Sequence, residues 1–317
     1  MEITYRILLI VQAILISLGI SIIYRKLPLK YFLGGVVLLG LFESLIGFLQ
    51  VAFQRSIGFY LLGEPHLNVL NKEVAKTIVS GGGRFLRAYG TFVHPNILGA
   101  FLVISLLCLI YLFLENKNKK LEPLFFITLF SLILGLILTF SRAAWLVSFL
   151  MILFLLFSEW KKRGFSSELK FLLIIITTII IFLTSIFHWV IFPKIYLSSS
   201  EPAIQLRMND LKLGLQSIKD NPFLGVGLGQ PVYSGQQQPI HNLYLLIASE
   251  IGLVGLFLFF LIIFSKFRNL LEIRNLDLEI SKVILISILL LGMFDHYFWT
   301  IPAGQLMLWI TIFRVVL

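Results

Sequence analysis

Charge is scarce in this chain. Asp, Glu, Lys and Arg make up 13% of its 317 residues, where a soluble domain carries about a quarter. That scarcity, with 58% hydrophobic residues and a mean hydropathy of +0.96, excludes an ordinary soluble fold. Cysteine is almost absent. Cys108 stands alone in an apolar run, which excludes an intrachain disulfide and any cysteine-cluster metal site. The short alternating segments of a membrane β-barrel are missing, as are internal repeats and low-complexity tracts. What the chain has instead is a series of apolar runs, each long enough to cross about 30 Å of hydrocarbon.

The net charge of +10 invites a nucleic-acid partner, but the placement of the cations argues against one. They sit in short loops between apolar runs, as the positive-inside pattern requires. Arg25, Lys26 and Lys30 mark one such loop, Lys117, Lys119 and Lys120 a second, Lys161, Lys162 and Arg163 a third, and Lys266, Arg268, Arg274 and Lys282 a fourth. These loops are assigned to the cytoplasm and the N-terminus to the outside. The first run is too long for a signal-peptide core and no small-x-small cleavage site follows it. Spans are predicted over 7–24, 31–53, 96–114, 123–140, 143–158, 169–191, 241–264, 283–299 and 302–316. The expected fold is all-α: a polytopic transmembrane helical bundle of about nine spans. It forms a single integral membrane domain, 1–317, in which 192–240 is a large extracytoplasmic loop. Within the polar excursion 54–95 an interfacial helix is expected around Val69–Val79.

This topology sorts the remaining polar residues. Arg84, Arg87, His94, Arg142, Arg207, His241, Asp295 and His296 all fall on the outer side. Cations are disfavoured there, and an anionic ligand at the outer face is the simplest cause of their presence. Arginine suits bidentate phosphate recognition; the competing reading is that each guanidinium snorkels to lipid headgroups. Arg84 and Arg87 precede Gly90 and the His94-Pro95-Asn96 segment, where Asn96 is expected to cap the third span. Arg142 lies in a tight turn beside Trp145, an interfacial residue type. Arg207 lies on an amphipathic helix, Ala203–Ile218, whose Leu206, Met208, Leu211, Leu215 and Ile218 are expected to face inward. Gly225, Gly227 and Gly229 read as a flexible turn, because no strand precedes them and no Gly-Lys-Ser/Thr follows.

His241 stands where apolar sequence resumes, followed by Asn242. An imidazole there can take a proton near neutral pH, or simply terminate a helix. Glu250 lies about 13 Å deeper along the same helix; it and Glu43 are intramembrane acids, each either functional or a buried hydrogen-bonding group. Asp295-His296 could brace a site. His and carboxylate residues show no convincing ligand spacing, and no metal is expected.

RAYGTFVHPNILGAFL, TFSRAAWL, Arg207 in the large outer loop, NPFLGVGLGQ and HNLYLLIASEIGLVGL follow one another in this sequence. Their order and spacing resemble those of the O-antigen ligase and O-antigen polymerase superfamily, over roughly residues 40–300. The superfamily pattern has several further spans ahead of these motifs. The resemblance implies a GT-C-like, metal-independent, inverting membrane glycosyltransferase that uses no cofactor. The implied donor is a glycan on an undecaprenyl-diphosphate carrier in the outer leaflet of the bacterial cytoplasmic (inner) membrane. The acceptor is a lipid or glycan hydroxyl. The pattern puts the diphosphate-binding arginines on Arg87 and Arg207 and the essential histidine on His241, and Arg142 matches another recurrent basic position. Arg84, Arg142, Asn242 and Glu250 are the expected substrate contacts. Ligase and polymerase share all these motifs.

The residues fit that chemistry on their own terms. A polyprenyl diphosphate leaves readily once arginines hold its developing charge, and a histidine can deprotonate the attacking hydroxyl. A two-carboxylate glycosidase mechanism lacks its close acidic pair on the outer side. A lipid or solute transporter would use Glu43, Glu250 and the arginines as a path, but it usually shows two related halves, which are absent. A structural scaffold would leave the outer basic residues unexplained.

Overall fold

A computed structural model describes residues 2–24, 28–78, 83–115, 122–195, 202–230, 239–272 and 276–314. The protein is all-α in character, about 77% helical. The helices are α1 (Glu2–Tyr24), α2 (Leu29–Phe53), α3 (Pro95–Glu115), α4 (Glu122–Leu138), α5 (Arg142–Arg163) and α6 (Ser167–Ile186). They continue as α7 (His188–Ile195), α8 (Pro202–Asp220), α9 (Leu243–Glu272), α10 (Leu276–Gly292), α11 (Tyr297–Thr300) and α12 (Pro302–Arg314). Among the described residues, α1, α2, α3, α5, α6 and α9 are each long and apolar enough to cross a membrane, and α4 and α12 are shorter apolar helices. This is an integral, multi-pass membrane protein. The chain divides into two compact units, one of residues 29–196 and one of residues 1–28 with 197–317.

In the 29–196 unit α3 is the buried centre. Lipid tails are as apolar as leucine, so membrane helices associate through close packing of small residues. That is what the sequence provides here. A Cβ added to Gly40 of α2 would lie 2.5 Å from Ser105 Cβ of α3, and one added to Gly135 of α4 would lie 2.6 Å from Ser44 Cβ of α2. Gly99 of α3 abuts Ala144 of α5 in the same manner. Outward-facing Leu124, Ile127, Phe149 and Leu153 remain exposed, as lipid-facing side chains would. Arg163 pairs with Glu115 and Glu159, each at 2.9 Å, where α3 and α5 end.

The helix expected around Val69–Val79 does not form. Lys76–Ile78 (β1) instead pairs antiparallel with Arg84–Leu86 (β2). The reason is local: the side chains of Asn68 and Asn71 accept the backbone N–H groups of Leu70 and Glu73 at 2.9 and 3.0 Å, turn bonds that compete with a helix. The Tyr89 hydroxyl then accepts the Ala75 N–H at 2.6 Å, and Leu67, Val74, Leu86 and Tyr89 close a small core beneath the hairpin.

Glu64 pins the start of this excursion. Its carboxylate accepts the N–H groups of Ile57, Gly58 and Phe59 at 2.6–2.7 Å and an amide N–H of Gln50 at 2.9 Å. Burial works to raise the Glu64 pKa, but these hydrogen bonds outweigh it and the carboxyl titrates below its ordinary range. A depressed folded-state pKa contributes stability that is present above the unfolded value of about 4.3 and is lost as pH falls through the folded value. Glu64→Gln should therefore cost about 1–3 kcal/mol of stability at neutral pH, with the deficit shrinking towards about pH 3. Thermal melts in detergent at both pH values check this; an equal deficit at both would contradict it.

In the other unit α1 and α12 run side by side in the same direction, with Arg6 bonded to Thr300 O at one end and Ser21 to Phe313 O at the other. The run expected as one span over 283–299 is broken: α10 ends at Gly292 and α11 begins at Tyr297. Helix α9 is broken as well. Gly252 adopts φ 73°, ψ 177° inside it, which frees backbone groups that a bilayer cannot hydrate. The Asn221–Gly229 segment satisfies them. Val226 and Gly227 donate to the carbonyls of Ser249 and Glu250 at 2.9 Å, and Leu253 donates to Pro222 O at 2.8 Å. A Cβ on Gly225 would lie 2.5 Å from the Glu250 carbonyl carbon. The segment expected to be a flexible turn is thus a backbone splint across a helix break.

Helix α8 reverses another expectation. Its buried stripe is Asp210, Gly214 and Ser217, packed towards α9, while Leu206, Met208, Leu211 and Leu215 are exposed. The small and polar face makes the protein contact, and the apolar face is left for lipid.

Candidate active site

The 29–196 unit draws two of the motifs together. Gln50 and Glu43, both on α2, hold the Tyr89–Thr91 turn. The Gln50 side-chain oxygen accepts the N–H groups of Tyr89 and Gly90, and Glu43 accepts both the N–H and the hydroxyl of Thr91 at 2.8 and 2.6 Å. Glu43 is therefore a structural acceptor. The turn in turn places Arg87, which is buried. Its Nε donates to Thr139 O and its Nη2 to Asn96 Oδ1, each at 2.7 Å. Thr139 lies three residues before Arg142, so Arg87 is tied to the α4–α5 turn that carries Arg142. Ser141 caps α5 by accepting the Ala144 N–H. Asn96 does not cap α3 as expected. His94 Nδ1 accepts the Asn96 N–H at 3.1 Å, which leaves the Asn96 carbonyl oxygen for Arg87. Arg84 is exposed on β2, opposite Ile78.

The other unit gathers Arg207 and His241. Asn242 caps α9: its Oδ1 accepts the N–H groups of Tyr244 and Leu245 at 3.0 Å, and its Nδ2 donates to Met293 O at 2.9 Å. His241, one residue earlier, is thereby held against α8. Its backbone N–H donates to Asp210 Oδ2 at 3.0 Å, and its ring Nδ1 lies 2.8 Å from the same oxygen. Asp210 is one turn of α8 beyond Arg207, so the two residues share a face. The His296 ring meets the His241 ring edge-on, with centroids 5.2 Å apart, and is itself held by Thr300 Oγ1 at 2.7 Å.

The surrounding charges complete the cluster. The Arg207 charge acts on the Tyr297 phenol, and those of Arg6, Asp210 and Asp295 act on His296. Arg6, half-buried at the start of α1, lies over the Gly229 backbone, where a Cβ would come within 2.7 Å of its Cγ. Its bond to Thr300 O is long, at 3.5 Å. Glu250 is buried, and its carboxylate accepts the Trp299 Nε1 hydrogen at 2.8 Å. That contact braces α11 against α9.

Two of these residues, Asp210 and Arg6, were not legible as site residues. Asp210 is 31 positions from His241 and becomes its partner through helix packing. Arg6 precedes a span and reads as an ordinary flanking cation. Among the described residues no three His, Cys, Asp or Glu side chains are grouped as a metal site requires.

None of the curated proteins compared matches the chain. A family comparison does. Residues 125–260, which include Arg142, Arg207, His241 and Glu250, match the family described as O-antigen ligase, and over that stretch the chain is similar to the O-antigen ligase and O-antigen polymerase superfamily.

Proposed function

We propose that the protein moves a glycan from an undecaprenyl-diphosphate carrier to an acceptor hydroxyl on the extracytoplasmic side of the inner membrane, as an O-antigen ligase does. One observation carries this reading: His241 docks on α8 through Asp210, one turn from Arg207. A proton acceptor is thus held on the helix that carries a phosphate-suited cation.

The steps follow from those groups. His241 takes the acceptor hydroxyl proton as its oxygen bonds to the anomeric carbon. The bond from that carbon to the diphosphate oxygen breaks, and the carrier diphosphate leaves with the electron pair. Arg207 holds the charge that develops on it. A single displacement inverts the anomeric configuration. Arg87 also supports transfer, and Arg84, Arg142 and Asn242 are assigned secondary substrate contacts. Glu250 is assigned the same role through the end of α9 that it braces. The polymerase reading differs in its acceptor, a second carrier-linked glycan, and uses the same residues.

Metal independence and inversion are tested together. Purified protein given a carrier-linked glycan and an acceptor should form product at an unchanged rate in excess chelator, with the new linkage of opposite anomeric configuration to the donor. Loss of activity in chelator, restored by a divalent ion, would end the metal-free mechanism. Retained configuration would end the single displacement.

A further inference from the structure

We infer that Asp210 is the positioning residue of the reaction: it fixes the tautomer and aim of His241, so that Nε2 is the nitrogen that takes the proton. The inference rests on the glycan-transfer reading and deepens it, since nothing in the motif order or the family match assigns Asp210 a role.

The geometry separates two functions of one carboxylate oxygen. The 3.0 Å bond from the His241 N–H anchors the chain where α9 begins. The 2.8 Å contact with Nδ1 does something an anchor does not need. An ionised carboxylate offers lone pairs and no proton, so Nδ1 carries the hydrogen and donates it to Oδ2. Nε2 then keeps its lone pair, on the side of the ring away from Asp210. When Nε2 takes the acceptor proton the ring becomes an imidazolium, and the adjacent Asp210 charge stabilises it at the moment the anomeric bond forms. The imidazolium later returns that proton to water, which restores the starting tautomer. Asp210 is buried, which strengthens its effect on the ring beyond what a solvated carboxylate would have.

The other charged and titratable groups of the cluster are His296, whose ring meets that of His241, Arg6 and Asp295, which act on His296, and Arg207, which acts on Tyr297. These stay in place when Asp210 alone is changed.

Asp210→Asn is the test. With its carbonyl oxygen where Oδ2 stands, Asn can still accept both the His241 backbone N–H and Nδ1–H, so the anchor survives and what is removed is the negative charge beside the ring. We expect kcat to fall by about 10² to 10⁴-fold with KM for the donor nearly unchanged. The acid limb of the pH–rate profile should move to lower pH, because the imidazolium loses its counter-charge. Asp210→Glu should recover part of the rate. A kcat within a few-fold of the parent and an unmoved acid limb would overturn the inference. Should Asp210→Asn fail to fold, ¹⁵N NMR of the parent, with the His241 ring assigned by comparison with His241→Gln, decides the matter. A protonated Nδ1 supports the role and a bare Nδ1 overturns it. Failure of the glycan-transfer reading looks different: the parent itself forms no product.

Discussion

His241→Gln is expected to lower kcat for glycan transfer by about 10² to 10⁴-fold, the usual worth of a general base, with donor affinity within about twofold of the parent. Glutamine keeps a hydrogen-bonding side chain of similar reach but cannot take a proton near neutral pH. His241→Ala should do no worse in rate by more than the loss of packing against His296. Both variants keep the backbone N–H that bonds Asp210 and the Asn242 cap, so the start of α9 should persist and expression should be normal. Steady-state kinetics and donor-binding isotherms on purified variants check the split. Transfer at the parental rate by His241→Gln would make the histidine a helix-end residue and nothing more.

Arg207→Ala carries the second large effect. Loss of one group that stabilises charge developing on the leaving diphosphate costs about 10² to 10³ in kcat. Arg207→Lys should recover little, because an ammonium is a point charge and cannot grip two phosphate oxygens as a guanidinium does. Arg207 lies half-buried on α8 and is not needed to hold Asp210 on His241, so the fold should survive. Arg87 requires more care. Its guanidinium bonds Thr139 O and Asn96, and Arg87→Ala removes these anchors along with any contact to the donor. A melt alongside the kinetics separates the two losses. Parental kcat/KM in Arg207→Ala would remove the diphosphate-stabilising role.

Most of the spans were legible because apolar length alone predicts them; the runs over 169–191 and 283–299 are the exceptions, each divided between two helices. What escaped the sequence follows from the solvent. The rule that an apolar stripe faces inward assumes water outside. On α8 the outside is lipid, so Leu206, Met208, Leu211 and Leu215 face out and Asp210, Gly214 and Ser217 face in. The helix break at Gly252 was hidden because glycine in an apolar run reads as a packing residue. Its partner, the Asn221–Gly229 splint, is hidden because Gly225, Gly227 and Gly229 read as a flexible turn, and nothing local shows the carbonyls that the segment reaches. His241 and Arg207 stood out by type and place. Asp210 did not, since a single acid on an amphipathic helix looks solvated until packing against α9 buries it.

Mass balance of the donor in proteoliposomes tests the central claim most directly. Vesicles carrying the purified protein, a carrier-linked glycan and an acceptor would be followed for free undecaprenyl diphosphate and glycosylated acceptor together. The expected result is that the two appear in equal amounts with the parent and fall to a trace with His241→Gln. Donor that crosses between leaflets intact, with no carrier released and no dependence on His241, would contradict glycan transfer and identify a lipid transporter instead.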